Sequence, residues 1–240
     1  MKKKRILAFL LSITMILGMS ICVYAKEDID SIKLEQSPDY YSEKNQQEIN
    51  ELKERIEKEE NEKGIVRSGY SKNLSVPIYQ QVGHSNCGAA SGRMVLKYKT
   101  GKDYGEDTLA TAMEIPKYNF AYVYKVREVL NSYLGANSYK EVLTSSINFG
   151  SGLFSSINKD MPVVCHVKGG VLPNYNGAAN PGHYVVAKGY YQNSQGMQGA
   201  STVTYHDPHY NNQFYGTYTT SVSVMQQAIN NNAGFYIMGN

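Results

Sequence analysis

The chain changes texture just past its midpoint, and that change limits its folds more than any other feature. Up to Leu134 the apolar residues recur at helical spacing, whereas beyond Ser151 they gather into short valine- and tyrosine-rich runs bounded by Gly, Pro and Asn. The first part predicts a helix over Cys87–Tyr98, with Ala90, Met94, Val95 and Tyr98 on one face and Gly101 as its stop. Two more are expected over Glu106–Met113 and over Tyr122–Leu134, the latter closed by Gly135. The second part predicts strands at Pro162–Lys168, His183–Tyr191, Ser201–His206 and Gly234–Met238. Helices first and strands later is the order of an α+β domain with one wall of each kind and a cleft between them. Residues 169–182 (GGVLPNYNGAANPG) make a loop long enough to carry a task of its own.

The 240 residues suit one domain plus extensions. Lys2, Lys3, Lys4 and Arg5 precede an apolar run from Ile6 to Val23 and a small residue at Ala25, which is the layout of a secretory signal peptide over residues 1–25. A secreted or cell-wall-associated, extracellular protein is therefore expected, with no stable membrane span after cleavage. An uncleaved anchor is the rival reading, because the run approaches spanning length. Residues 26–70 read as a charged propeptide or spacer, with Gly64 and Gly69 at the joint, and residues 71–240 as the working domain. Residues 26–63 hold 13 acids against 7 bases, while residues 64–240 hold 8 acids against 13 bases. Ile49, Leu52 and Ile56 fall at helical spacing, yet so few apolar residues cannot build a core of their own. Either the stretch is a solvated spacer or it is an intramolecular propeptide lying on the basic body and blocking its cleft; charge complementarity steers such a contact without docking it. No nucleic-acid partner is expected.

Once the signal is removed, two cysteines remain, Cys87 and Cys165, too few for a disulfide framework and without the CxxC spacing that binds zinc. Cys87 falls in the first turn of its helix, where unpaired N–H groups and the helix dipole favour an anion. The plain alternative is a small buried core residue. Company decides between them, because a thiolate catalyst also needs a base and donors for an oxyanion. Gln81 stands six positions earlier, so a short loop can bring its amide beside the Cys87 N–H, with Gly83 and Gly88 allowing tight turns. Of the five histidines, His183 opens an apolar strand after the glycine-rich loop and is the preferred base. His166 sits mid-strand as a sheet residue, and His84 lies in the Gln-to-Cys loop within reach of a substrate. His206 and His209 flank Asp207-Pro208, where a zinc site would lack a third ligand. Asp207 suits the partner that fixes an imidazole, if its strand pairs with that of His183 through the turn QNSQGMQGA. Turn chemistry is the competing explanation for Asp-Pro.

Taken in order, Gln81, Cys87-Gly88, Gly182-His183-Tyr184-Val185-Val186 and Asp207-Pro208 resemble the papain-like cysteine peptidases. The resemblance is closer to the branch related to the bacteriocin-processing, double-glycine peptidases, cysteine peptidase family thirty-nine, and it spans Val76 to Met238. It implies a papain-like fold, an N-terminal helical half whose nucleophile helix packs on a C-terminal antiparallel sheet. It also implies that Cys87 attacks, His183 shuttles the proton, Asp207 orients His183 and Gln81 stabilises the oxyanion, with no metal or organic cofactor. Ala89 stands where the family often has proline. The exporter spans and phosphate-binding loop of the leader-cleaving members are missing here, so cleavage after Gly-Gly does not transfer. The expected function is a secreted thiol hydrolase, a peptidase acting on a peptide or protein substrate through an acyl-enzyme. Two others stay open: a non-catalytic module of the same fold that binds peptide or cell-wall polymer, and an amidase or transpeptidase acting on peptidoglycan peptides.

Overall fold

The computed structural model describes residues 37–62, 70–115, 120–178, 182–192 and 201–240. The expected signal peptide and the Gly64–Gly69 joint lie outside them. Alternating Val and Tyr build a seven-stranded sheet in which every described pairing is antiparallel. Its strands are β1 (Tyr70–Asn73), β2 (Tyr139–Leu143), β3 (Val163–Val167), β4 (His183–Gln192), β5 (Thr202–Asp207), β6 (Gly216–Ser221) and β7 (Phe235–Gly239). Their order is β2-β7-β3-β4-β5-β6, with β1 added on β4. Strand β4 is the spine: its first half pairs with β3, its second half with β1, and its other edge with β5. Because β5 returns antiparallel beside β4, the start of one and the end of the other reach the same rim. That geometry places His183 and Asp207 together.

Six α-helices are described: α1 (Glu43–Glu62), α2 (Cys87–Thr100), α3 (Glu106–Ala112), α4 (Val123–Leu134), α5 (Phe149–Asn158) and α6 (Val222–Asn230). Helix α2 packs against α3, α4 and β4, and ends at Gly101 in the left-handed conformation (φ 73°). Its opening run of small residues, Cys87 to Gly92, is wholly buried. A methyl group added at Gly88 would stand 2.9 Å from Ala121 Cβ and 3.4 Å from the Tyr184 ring. The expected α+β class, with helix α2 packed against an antiparallel sheet, is what forms.

Five elements escaped the sequence reading: β1, β2, α5, β6 and α6. Helix α5 (FGSGLFSSIN) looks like a turn by composition, yet Asn148 caps it by accepting from Gly150 N at 2.9 Å. Its glycine and serines are small because Tyr236 of β7 presses on Gly152 and Gly239 N donates to Ser156 Oγ at 3.0 Å. Packing overrides propensity there. Helix α6 starts at Ser221, whose hydroxyl accepts from Val224 N at 3.1 Å, and buries Val222, Met225, Ala228 and Ile229.

Residues 37–62, part of the stretch that composition set apart as residues 26–70, belong to the same compact unit as the sheet. Helix α1 lies against α5, burying Ile49, Leu52 and Ile56 to within 2% of full enclosure. Tyr40 is enclosed as well, its ring edge-on to Phe235 at 5.2 Å. Glu48 pairs with Lys140, and Glu59 with Lys159 at 3.4 Å. Burying each of those aliphatic side chains stabilises by roughly 1.5–3 kcal/mol, against at most about 1 kcal/mol for an exposed ion pair. The apolar stripe, rather than the charge asymmetry, docks this helix. It could not be read as core from its own composition because the complementary surface belongs to α5.

Candidate active site

Cys87 is the first residue of α2 and is fully enclosed. The residue before it, Asn86, does not cap the helix; its Nδ2 donates instead to Glu106 Oε1 at 2.8 Å. The leading N–H groups of α2 are thus without a side-chain cap. Glu106, the first residue of α3, also accepts Val82 N at 3.0 and 3.1 Å. One buried carboxylate therefore pins both ends of the loop leading to Cys87.

His183 Nε2 lies 2.7 Å from Asp207 Oδ1. Asp207 engages Nε2 of the two ring nitrogens, and the Cys87 side chain is among the groups that act on the imidazole. Burial pulls the imidazole's pKa down, but the Asp207 charge and hydrogen bond, with Cys87, outweigh it and push it up to about 10. Asp207 is the mirror case. Burial would raise its carboxyl, yet His183, the Asn174 amide and the His209 N–H hold it below the usual range. The pair is an imidazolium beside a carboxylate at neutral pH, in a site where Cys87, His183 and Asp207 are at most 3% exposed.

Gln81 is buried beside this set, its backbone N donating to Pro208 O at 2.7 Å. The sequence predicts its amide next to the Cys87 N–H. In the structure its Nε2 donates to Gly83 O at 2.6 Å and His84 O at 3.2 Å, while Oε1 is enclosed without a partner. Gln80 does face elsewhere, donating to Tyr210 O at 2.9 Å and Asn212 Oδ1 at 2.7 Å. His84 meets Tyr210 ring to ring at 4.0 Å, so the loop before α2 and the turn after β5 touch. His209 sits 5.4 Å from His183, between Tyr175, Tyr210 and Phe214.

The remaining histidines are structural in their contacts. His206 engages Val76 O through Nε2 at 2.9 Å and Thr217 through Nδ1 at 2.8 Å. His166 stacks on Tyr184 at 4.5 Å, and burial drives its pKa down to about 3. Cys87 and Cys165 are both free thiols. Among the described residues no group of three or more His, Cys, Asp or Glu could hold a metal ion.

The model of the Peptidase_C39 like family matches residues 73–235. The chain belongs to that family. Among solved structures, a Bacillus anthracis protein described as a C39-like peptidase aligns with a TM-score of 0.50 and 16% identity, over 71% of this chain and 98% of its own. The peptidase domain of Streptococcus ComA, a bi-functional ABC transporter involved in quorum sensing, aligns with a TM-score of 0.43 and 18% identity, over 68% of this chain and 96% of its own. A double glycine motif protease from an AMS/PCAT transporter, solved with the leader peptide, gives 0.43 and 18%, over 70% and 92%. No curated protein matches the chain. Family and fold are those of C39-like cysteine peptidases, in agreement with the resemblance carried by the motifs.

Two members of the site had no sequence signal. Glu106 reads as an ordinary acid in a first helical turn, and Asn174 is one of several asparagines in the long loop. Only the folded chain shows what their side chains hold.

Proposed function

We propose that this C39-like chain is a secreted peptidase in which Cys87 is the nucleophile, His183 the proton carrier and Asp207 the residue that orients it. The observation that carries the reading is His183 itself, held at 2.7 Å by Asp207, with Cys87 among the groups that raise its pKa. The thiol proton passes to His183 as the reaction begins. The sulfur attacks a peptide carbonyl, and the first-turn N–H groups of α2 stabilise the oxyanion. Gln81 joins them by turning one Nε2 hydrogen from His84 O, the longer of its two contacts, toward the substrate oxygen. The imidazolium then gives its proton to the leaving amine and a thioester remains. Water, deprotonated by His183, attacks the thioester and releases the acid product with the free thiol. The basic flank, apolar run and Ala25 support export, with a mature chain starting near Lys26.

Alkylation of Cys87 by iodoacetamide tests the thiol's reactivity directly. The expected rate near neutral pH is higher than that of a free thiol model compound. Peptide-library cleavage should be present in the mature wild type and absent in Cys87→Ala. A simple thiol titration, with the biological effect intact in Cys87→Ala, would instead establish a binding module.

A further inference from the structure

The long loop 169–178 delivers one polar side chain to the site. Asn174 lies in a 3₁₀ turn, Pro173–Tyr175, and its Nδ2 donates to Asp207 Oδ2 at 3.0 Å. The other oxygen, Oδ1, takes both remaining donors, His183 Nε2 at 2.7 Å and His209 N at 3.0 Å. A carboxylate gripped at one oxygen can swing about its soft terminal torsion, and one gripped at both cannot. Asp207 is fully enclosed, so solvent does not supply the second grip.

The direction of the amide is also fixed. Tyr205 OH donates to Asn174 Oδ1 at 2.8 Å, and Phe214 O accepts from Nδ2 at 3.4 Å. A flipped amide would aim its oxygen at a carboxylate and a carbonyl. Tyr205 is enclosed on β5 two residues before Asp207, and burial raises its hydroxyl's pKa, so it stays a donor. Tyr175, next to Asn174, stacks on Phe214 at 4.6 Å and meets the His183 ring at 6.2 Å, which seats the turn.

We propose that Asn174, oriented by Tyr205, is a positioning residue that holds the second oxygen of Asp207 so that the first stays aimed at His183. The proposal deepens the peptidase reading and rests on it. The titratable groups facing the pair are Cys87 from α2, His166 from β3, Tyr205 from β5, Tyr218 from β6, and His209 and Tyr175 from the flanking turns. Burial keeps His166 and His209 below their ordinary values, so neither competes as a cation at neutral pH.

The test is the pH dependence of Cys87 alkylation by iodoacetamide in the mature chain, with thermal unfolding measured alongside. Asn174→Ala should move the acid limb of the profile up by about 0.5–1 pH unit, because the carboxylate loses a donor and supports the imidazolium less well. Asn174→Asp, which sets a second carboxylate against the first, should move it further. Tyr205→Phe keeps the ring and removes the orienting hydroxyl, and should shift the limb in the same direction by less. A structural role alone would lower the melting temperature and leave the limb in place; that result in Asn174→Ala, or in Tyr205→Phe should Asn174→Ala not fold, overturns the proposal. Failure of the peptidase reading looks different: the wild type itself would titrate as a simple thiol, and this inference would fall with it.

Discussion

Two cysteine–histidine neighbourhoods lie close together, one at the rim of the sheet and one inside it. At the rim, Cys87 meets His183; inside, Cys165 and His166 are consecutive on β3, and His166 pairs in register with Tyr184, the neighbour of His183. Both neighbourhoods are almost wholly enclosed. Their electrostatics are opposite. Burial drives His166 down to about 3 and pushes the Cys165 thiol above its ordinary range, whereas His183 rises to about 10. The difference is Asp207, which offsets the desolvation that silences the inner pair. Enclosure by itself turns a Cys and a His into core residues, and enclosure with an anchored carboxylate gives a charged pair.

The strongest way to break the contrast is Asp207→Asn, which should turn His183 into a second His166. Peptidase activity should fall about 10²–10⁴-fold, measured as kcat/KM at neutral pH, with the structure otherwise retained. A wild-type rate would mean that the carboxylate does not set the imidazole's state. Next in size are the pH slopes of stability, followed by urea unfolding. His183 binds its proton more tightly folded than unfolded, so its contribution is complete below about pH 6.5 and is lost as pH rises toward 10. His166 has the reverse sign, since only the unfolded chain takes up its proton between about pH 6.5 and 3, and stability falls as pH falls through that window. His166→Phe, which keeps the stack on Tyr184, should flatten the acid side by on the order of 1 kcal/mol per pH unit relative to wild type. Equal slopes in the two proteins would show that His166 is not held neutral by the fold. The smallest effect is expected from Cys165→Ala, which should cost about 1 kcal/mol in stability and leave cleavage and the alkylation profile unchanged. Lost activity there would erase the distinction between the two thiols.

Residues that announce themselves by local context were legible in the sequence. His183 opens an apolar strand, Cys87 opens a helix, and the stop at Gly101 lies where a glycine should end it. The apolar stripe Ile49, Leu52 and Ile56 was visible too, though not its partner. What stayed hidden depends on contacts between elements far apart in the chain. Helix α5 is short of good helix formers because Tyr236 needs the room, and no local pattern encodes a neighbour's bulk. Asn174 and Glu106 act through single hydrogen bonds to Asp207, and to Val82 and Asn86, and a polar residue in a loop looks the same whether or not such a bond exists. The amide of Gln81 is a subtler case: residue and neighbourhood were foreseeable, whereas the carbonyls its Nε2 engages were not.

The bare hydrogen at position 88 has a mechanical meaning. It acts as a depth stop of minimal thickness, letting the first turn of α2 seat flush against Ala121 and Tyr184. Even one methyl group would wedge that end of the helix outward by a few tenths of an ångström, at the place where sulfur and imidazole need their reach.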